Sequence, residues 1–170
     1  TTHADGIVTV GKEEEGRLKK RFPHLADKIA YIPFGVDISF FKPREGIVEE
    51  SKILSVGVDP DRDWETLYKA CEGLGVEVVA ATRPRGNKDV TPPSFVTRKL
   101  FPLEELVSEY ERASVVVLPL DSSAGINDAM GCTALFEALA MGTSLLASDH
   151  GAAREIVDDS GIGLLYKLDD

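Results

Sequence analysis

From Lys52 onward, short runs of Val, Ile, Leu and Ala alternate with stretches whose apolar residues recur at a helical period. The runs at 53–56, 76–81, 94–96, 115–118, 144–147 and 163–166 read as strands, and 64–74, 103–112, 133–141 and 152–157 as helices. Most of the strand runs are almost continuously apolar, as strands buried on both faces are, and repeated strand–helix–strand units put helices on those faces. The pattern therefore predicts an α/β fold, a doubly wound parallel sheet of Rossmann-like type. Ligands of such sheets sit beyond the carboxyl ends of the strands. Function is thus to be sought in the loops after Val56, Ala81, Leu118 and Ala147.

The first 50 residues are less regular. Residues 6–10 and 28–33 read as short strands and 12–22 as a highly charged helix. Residues 34–50 lack periodicity and carry Gly35, Pro43 and Gly46, which is linker character. With no initiating Met and an end close behind an apolar run, the 170 residues read as a piece of a longer protein. Acidic residues outnumber basic ones 29 to 19, for a formal charge of −10. That balance argues against a nucleic-acid partner, whose phosphates demand a basic surface. The apolar runs are too short to cross a bilayer and no charged leader opens the chain. Two distant cysteines, Cys71 and Cys132, suit a reducing compartment, so the expected location is cytoplasmic.

Three patterns imitate functional motifs. Gly6 to Lys12 has the spacing of a phosphate loop, but Glu13 stands where a hydroxyl is needed and the interior is β-branched, so it reads as plain strand. Asp59, Asp61 and Asp63 are spaced like the start of a calcium loop, yet Trp64 replaces the required Gly and Ala70 the twelfth-position Glu. Asp59 and Asp61 also form an Asp-x-Asp pair, a weak metal signal in an acidic chain. Ser148-Asp149-His150 is no relay, because nucleophile and base must converge in space rather than in sequence.

Better signals lie at the strand ends. After the 115–118 strand, Gly125 and Gly131 let backbone approach a ligand, and Thr133 is placed to cap the following helix. The N–H groups of Gly131, Cys132 and Thr133 would then face an anion. Glu137, one turn on, could accept hydrogen bonds from ribose hydroxyls, or be a solvent-facing residue of a capped helix. Gly57 opens the loop after the first regular strand, and Arg62 beside it could neutralise a diphosphate. The alternative is a surface Arg62 paired with Asp61 or Asp63. Arg83 and Arg85 lie in the loop after 76–81, where they could assist or simply be exposed.

Taken in order, these segments resemble the donor-binding, C-terminal half of a GT-B glycosyltransferase of the retaining family-4 (group 1) type. Tyr31 to Asp37 with Phe41 and Pro43 is similar to that family's interdomain signature, with Phe34 in place of its usual Asn. Residues 53–57, 63–67, 103–106, Tyr110, Ala113, 115–119, 136–142, 147–149, Gly151, Glu155 and 163–165 resemble its strands and helices in sequence. The resemblance implies that Glu137 binds the nucleotide ribose, that Arg62 replaces the diphosphate-binding Lys, and that Leu100 borders the base through its backbone. It also shows two departures: Ala129 stands where the family has its first glutamate, and Val58 where it has an Arg. Residues 1–22 would then be the tail of an acceptor-binding N-terminal domain, 23–50 the interdomain segment, and 51–170 the nucleotide-binding domain, short of its C-terminal helices.

The implied function is transfer of a sugar from a nucleotide-diphosphate sugar donor, with no metal and no other cofactor. Arg62 and Glu137 are its catalytic candidates. Gly57, Arg62, Arg83, Leu100, Gly125, Gly131, Cys132, Thr133 and Glu137 are its donor-binding candidates. The acceptor would be held mainly by the missing domain, membrane contact of the full-length protein is left open, and the fragment alone should bind donor without turnover. Two alternatives are a sugar-nucleotide epimerase of the same fold, which needs carboxylates and His around the cleft, and a non-catalytic nucleotide-binding module.

Overall fold

The structure, a computed structural model, describes residues 4–59, 61–83, 90–121 and 129–168. A two-stranded parallel sheet pairs β1 (Ile7–Thr9) with β2 (Ile29–Tyr31) around the helix α1 (Lys12–Arg21) and a 3-10 turn at Pro23–Lys28. The rest is a six-stranded parallel sheet. Its strands are β3 (Glu50–Val56), β4 (Glu77–Ala81), β5 (Val96–Lys99), β6 (Ala113–Leu118), β7 (Ser144–Ser148) and β8 (Gly163–Tyr166), in the order β5-β4-β3-β6-β7-β8. The connections carry α2 (Trp64–Cys71), α3 (Leu103–Arg112), α4 (Cys132–Met141) and α5 (Gly151–Ser160). The doubly wound parallel sheet expected from the alternation is what the chain forms.

The core explains the order. Leu54, Val79, Val116, Leu118, Leu145 and Ala147 on one face pack against Leu106, Tyr110, Leu135, Ala138 and Met141 of α3 and α4. On the other face Trp64, Leu67, Tyr68 and Cys71 of α2 cover Val78, Ala80 and Val117. Burying aliphatic side chains of this size contributes roughly 1.5–3 kcal/mol each. Helix α2 starts where Asp63 Oδ1 accepts the Thr66 N–H at 3.0 Å.

Two expectations need correction. The strand placed at 94–96 lies at Val96–Lys99. Residues 97–99 are polar because β5 is an edge strand with alternate side chains in water, which an apolar-run reading passes over. The aperiodic segment 34–49 has no regular strand or helix, yet it is anchored. Phe41 is buried edge-on against Tyr110, Phe34 stacks on Phe136, and Arg44 pairs with Glu111.

The chain leaves β3, builds β4 and β5 outward, then returns through α3 to β6 on β3's other side. The strand order reverses between β3 and β6. A crevice opens at the carboxyl ends of such a pair.

Candidate functional site

A cavity of about 430 Å³ occupies that reversal point. Its walls come from the ends of β3 and β4 (Val56, Gly57, Ala81), the turn at Val58 and Asp59, Leu100 and Phe101, Leu106 of α3, and Ala129, Met130, Gly131, Thr133, Ala134 and Glu137 around the start of α4. Arg62 and Glu137 both line it.

Arg62 is held from below. Residues 61–63 run antiparallel to 119–121, with Asp63 N–H donating to Pro119 O at 3.2 Å and Asp121 N–H to Asp61 O at 2.8 Å. Its guanidinium donates through Nη2 to Val56 O at 2.8 Å and sits 3.2 Å from Asp59 Oδ2, with the side chain only 1% exposed. Nε and Nη1 are buried without a hydrogen-bond partner among the described residues. Burial pulls this guanidinium down to about 10, against the opposing charge of Asp59. A buried cation with unused donors is costly unless an anion meets it. Gly57 makes the arrangement sterically feasible: at φ 152° its position is so close that a Cβ there would lie 2.2 Å from Arg62 Nη2.

Opposite Arg62, α4 begins at Gly131, in the left-handed region at φ 77° and without a side-chain cap. A Cβ on Gly131 would lie 2.6 Å from Leu118 Cδ2, so only Gly fits the turn. The Cys132 N–H donates to Ala129 O at 3.2 Å, whereas those of Thr133 and Ala134 meet no acceptor among the described residues. A helix start with open N–H groups and its positive dipole end is an anion site.

Glu137, 6% exposed, faces the cavity from the next turn. The fully buried Tyr110 hydroxyl donates to its Oε2 at 2.7 Å. Burial raises the Glu137 carboxyl above the usual glutamate value, and the Tyr110 bond offsets this in part. Tyr110 itself lies well above the ordinary tyrosine value, through burial and the adjacent carboxylate, and so keeps its proton. A fixed carboxylate with one oxygen committed can accept a further hydroxyl proton on the other.

Residues 98–170 match the family described as glycosyl transferases group 1. Along 98% of its length the chain is similar to alpha-maltose-1-phosphate synthase of Mycolicibacterium smegmatis, at 24% identity over 49% of that protein. Among solved structures, sucrose-phosphate synthase from Thermosynechococcus elongatus superposes with a TM-score of 0.75 at 22% identity, covering 99% of this chain and 46% of that one. Anabaena Alr3699/HepE, solved in complex with UDP-glucose, gives 0.71 at 15% identity, over 98% and 51%. The likeness places the chain in the Rossmann-like architecture of the GT-B fold. The chain spans about half the length of these proteins.

The cavity gathers Gly57, Arg62, Leu100, Gly131, Thr133 and Glu137. Gly125 and Arg85 lie outside the described residues. Several expectations change. Arg62 is buried and pairs with Asp59 rather than standing at the surface beside Asp61 or Asp63, because the antiparallel pairing with 119–121 turns it inward. Cys132 is 3% exposed and does not line the cavity, its N–H being taken by Ala129. Thr133 is exposed and caps nothing, since the left-handed Gly131 starts the helix one residue early. Arg83 follows β4 at the same sheet edge, exposed and outside the cavity wall.

The imitation motifs resolve physically. The stretch from Gly6 to Lys12 is β1 leading into α1, whose first N–H groups, of Lys12 and Glu13, are taken by the Glu155 carboxylate at 2.9–3.2 Å. Ser148 Oγ accepts the Leu120 N–H and lies 2.8 Å from Tyr166 Oη, while the His150 ring nitrogens face the carbonyls of Ser148 and Met130. His150 is therefore no acid–base group for the cavity. Two contributors escaped the sequence reading of the site. Asp59 was a decoy for metal there. Tyr110 is legible as a partner only through the Leu106–Tyr110 spacing that turns one face of α3 toward α4.

Proposed function

We propose that this chain is the donor-binding part of a glycosyltransferase that takes a nucleotide-diphosphate sugar and passes the sugar to an acceptor. The observation that carries this reading is the convergence, in one cavity at the sheet's reversal point, of a buried guanidinium with unused donors, an open helix start and a buried carboxylate. A nucleoside diphosphate matches that set: its phosphates need the cation and N–H groups, and its ribose hydroxyls need an acceptor such as Glu137. UDP-glucose in the Anabaena protein, and ADP with acarbose in starch synthase IV of Arabidopsis thaliana, lend support.

In this reading the sugar–phosphate C–O bond breaks and negative charge collects on the leaving diphosphate. Arg62 and the Thr133 and Ala134 N–H groups are placed to stabilise that charge, which lowers the barrier electrostatically. The transfer retains stereochemistry, by resemblance, and needs no metal. Residues 1–22 and 23–50 are the end of an acceptor-binding domain and the segment joining it to 51–170, and the complete protein works in the cytoplasm or on that face of a membrane. The acceptor lies in a part of the protein beyond this chain, so the chain binds donor without turning it over. Titration calorimetry with UDP-glucose and ADP-glucose tests the reading. Saturable binding of either supports it, and failure of both, and of their free diphosphates, contradicts it.

A further inference from the structure

We propose that Asp59 is an internal competitor for the Arg62 guanidinium, and that this competition makes the cavity select its ligands by the charge of their phosphate group. The inference rests on the donor-site reading above and adds a specificity-determining residue to it. Both side chains line the cavity, and Asp59 is the ion-pair partner of Arg62 among the described residues, at 3.2 Å. The two differ in freedom. The Asp59 side chain is 39% exposed, whereas that of Arg62 is 1% exposed and clamped by the Gly57 turn and the 119–121 pairing. The carboxylate can move into water with little loss of hydration; the guanidinium has nowhere to go. Exchange at this pair therefore replaces the anion and keeps the cation.

Asp59 also serves Arg62 incompletely, since it approaches Nη2 alone while Nε and Nη1 find no acceptor. A diphosphate offers more oxygens and more charge, so it can displace the carboxylate and satisfy those donors. A neutral ligand cannot, and leaves the pair intact. A monophosphate gains less while facing the same displacement. The position that invited a metal-binding reading of the Asp-x-Asp pair thus acts as a stand-in anion.

The test is Asp59→Asn, titrated with UDP, UMP and uridine, and with ADP, AMP and adenosine. UDP or ADP should bind about five- to tenfold tighter than to wild type, the monophosphate gaining less and the nucleoside unchanged. Asp61→Asn removes the same charge two residues away. A gain from the general field would be equal in both variants and vanish in high salt, whereas displacement makes the Asp59 gain larger and salt-resistant. Unchanged or weaker diphosphate binding, or an equal gain from Asp61→Asn, overturns the proposal. If the uncompensated guanidinium unfolds Asp59→Asn, the double variant with Arg62→Met carries neither charge. It must bind UDP no tighter than Arg62→Met alone, and tighter binding overturns the competition. Arg62→Met separates the two ideas: if it binds diphosphate as wild type does, the donor-site role of Arg62 fails, and if it loses diphosphate while Asp59→Asn gains nothing, only the competition fails.

Discussion

The centre of the sheet and its carboxyl edge lie a few residues apart and obey opposite rules. In the centre, Leu54, Val78, Val79 and Val116 of the strands and Leu135 of α4 are buried, and β3 pairs in parallel with β4 and β6, with one register shift between Glu50 and Ile53. At the edge, Arg62 is buried with unused donors, Glu137 is buried as a carboxylate, and Gly131 and Gly57 sit where no other residue fits. The centre holds the fold, and the edge holds polar groups in positions that cost stability, a cost that the donor of the proposed function would offset. Polar burial without full satisfaction is what a binding site keeps and a core discards.

The sharpest break is in the core. Leu135→Ala should cost about 2–5 kcal/mol in denaturant unfolding, because it leaves a cavity between α4 and the sheet. Its effect on diphosphate affinity in a variant that remains folded should be small. A change of affinity as large as that in stability would erase the distinction between the regions.

Gly57→Ala comes next. The added Cβ collides with the guanidinium, so stability should fall by about 1–3 kcal/mol. Diphosphate binding should fall with it, since Arg62 must leave its seat. Loss of stability with unchanged phosphate affinity would show that the Gly57–Arg62 contact is packing alone.

The smallest effect concerns Glu137. Its carboxyl is raised in the folded chain, chiefly by burial. Folding therefore favours the protonated form: this contribution is fully present below the unfolded glutamate value and is lost as pH rises through the folded one. Glu137→Gln, which cannot ionise, should match wild type in acid and exceed its stability at pH 8. Ribose-dependent affinity should fall in the same variant. A stability difference independent of pH would mean that Glu137 carries no ionisation cost.

The comparison also explains what could be read in advance. The sheet was legible because β3, β4, β6 and β7 are near-continuous apolar runs separated by helical periods, and burial on both faces leaves that record. β5 was misplaced because an edge strand writes a half-polar pattern. That Glu137 and Gly131 line the cavity was legible because a helix after a buried strand starts at the carboxyl edge of the sheet. The inward turn of Arg62 was not, because it follows from pairing between 61–63 and 119–121, partners nearly sixty residues apart with no local signature. Asp59 was hidden for the same reason, since nothing in an Asp-rich loop says which carboxylate a buried arginine will choose.

The central claim is that Arg62 is kept in the interior to meet phosphate charge. Calorimetric titration of wild type and Arg62→Met with UDP or ADP and with the matching nucleoside, alongside unfolding of both proteins, tests it most directly. Removing the cation should weaken diphosphate binding by about 1.5–3 kcal/mol, as for a charged hydrogen bond, leave the nucleoside affinity unchanged, and keep or raise the stability of the ligand-free chain. Equal losses for diphosphate and nucleoside, or a destabilised chain with intact diphosphate binding, would contradict the account and return Arg62 to a structural role.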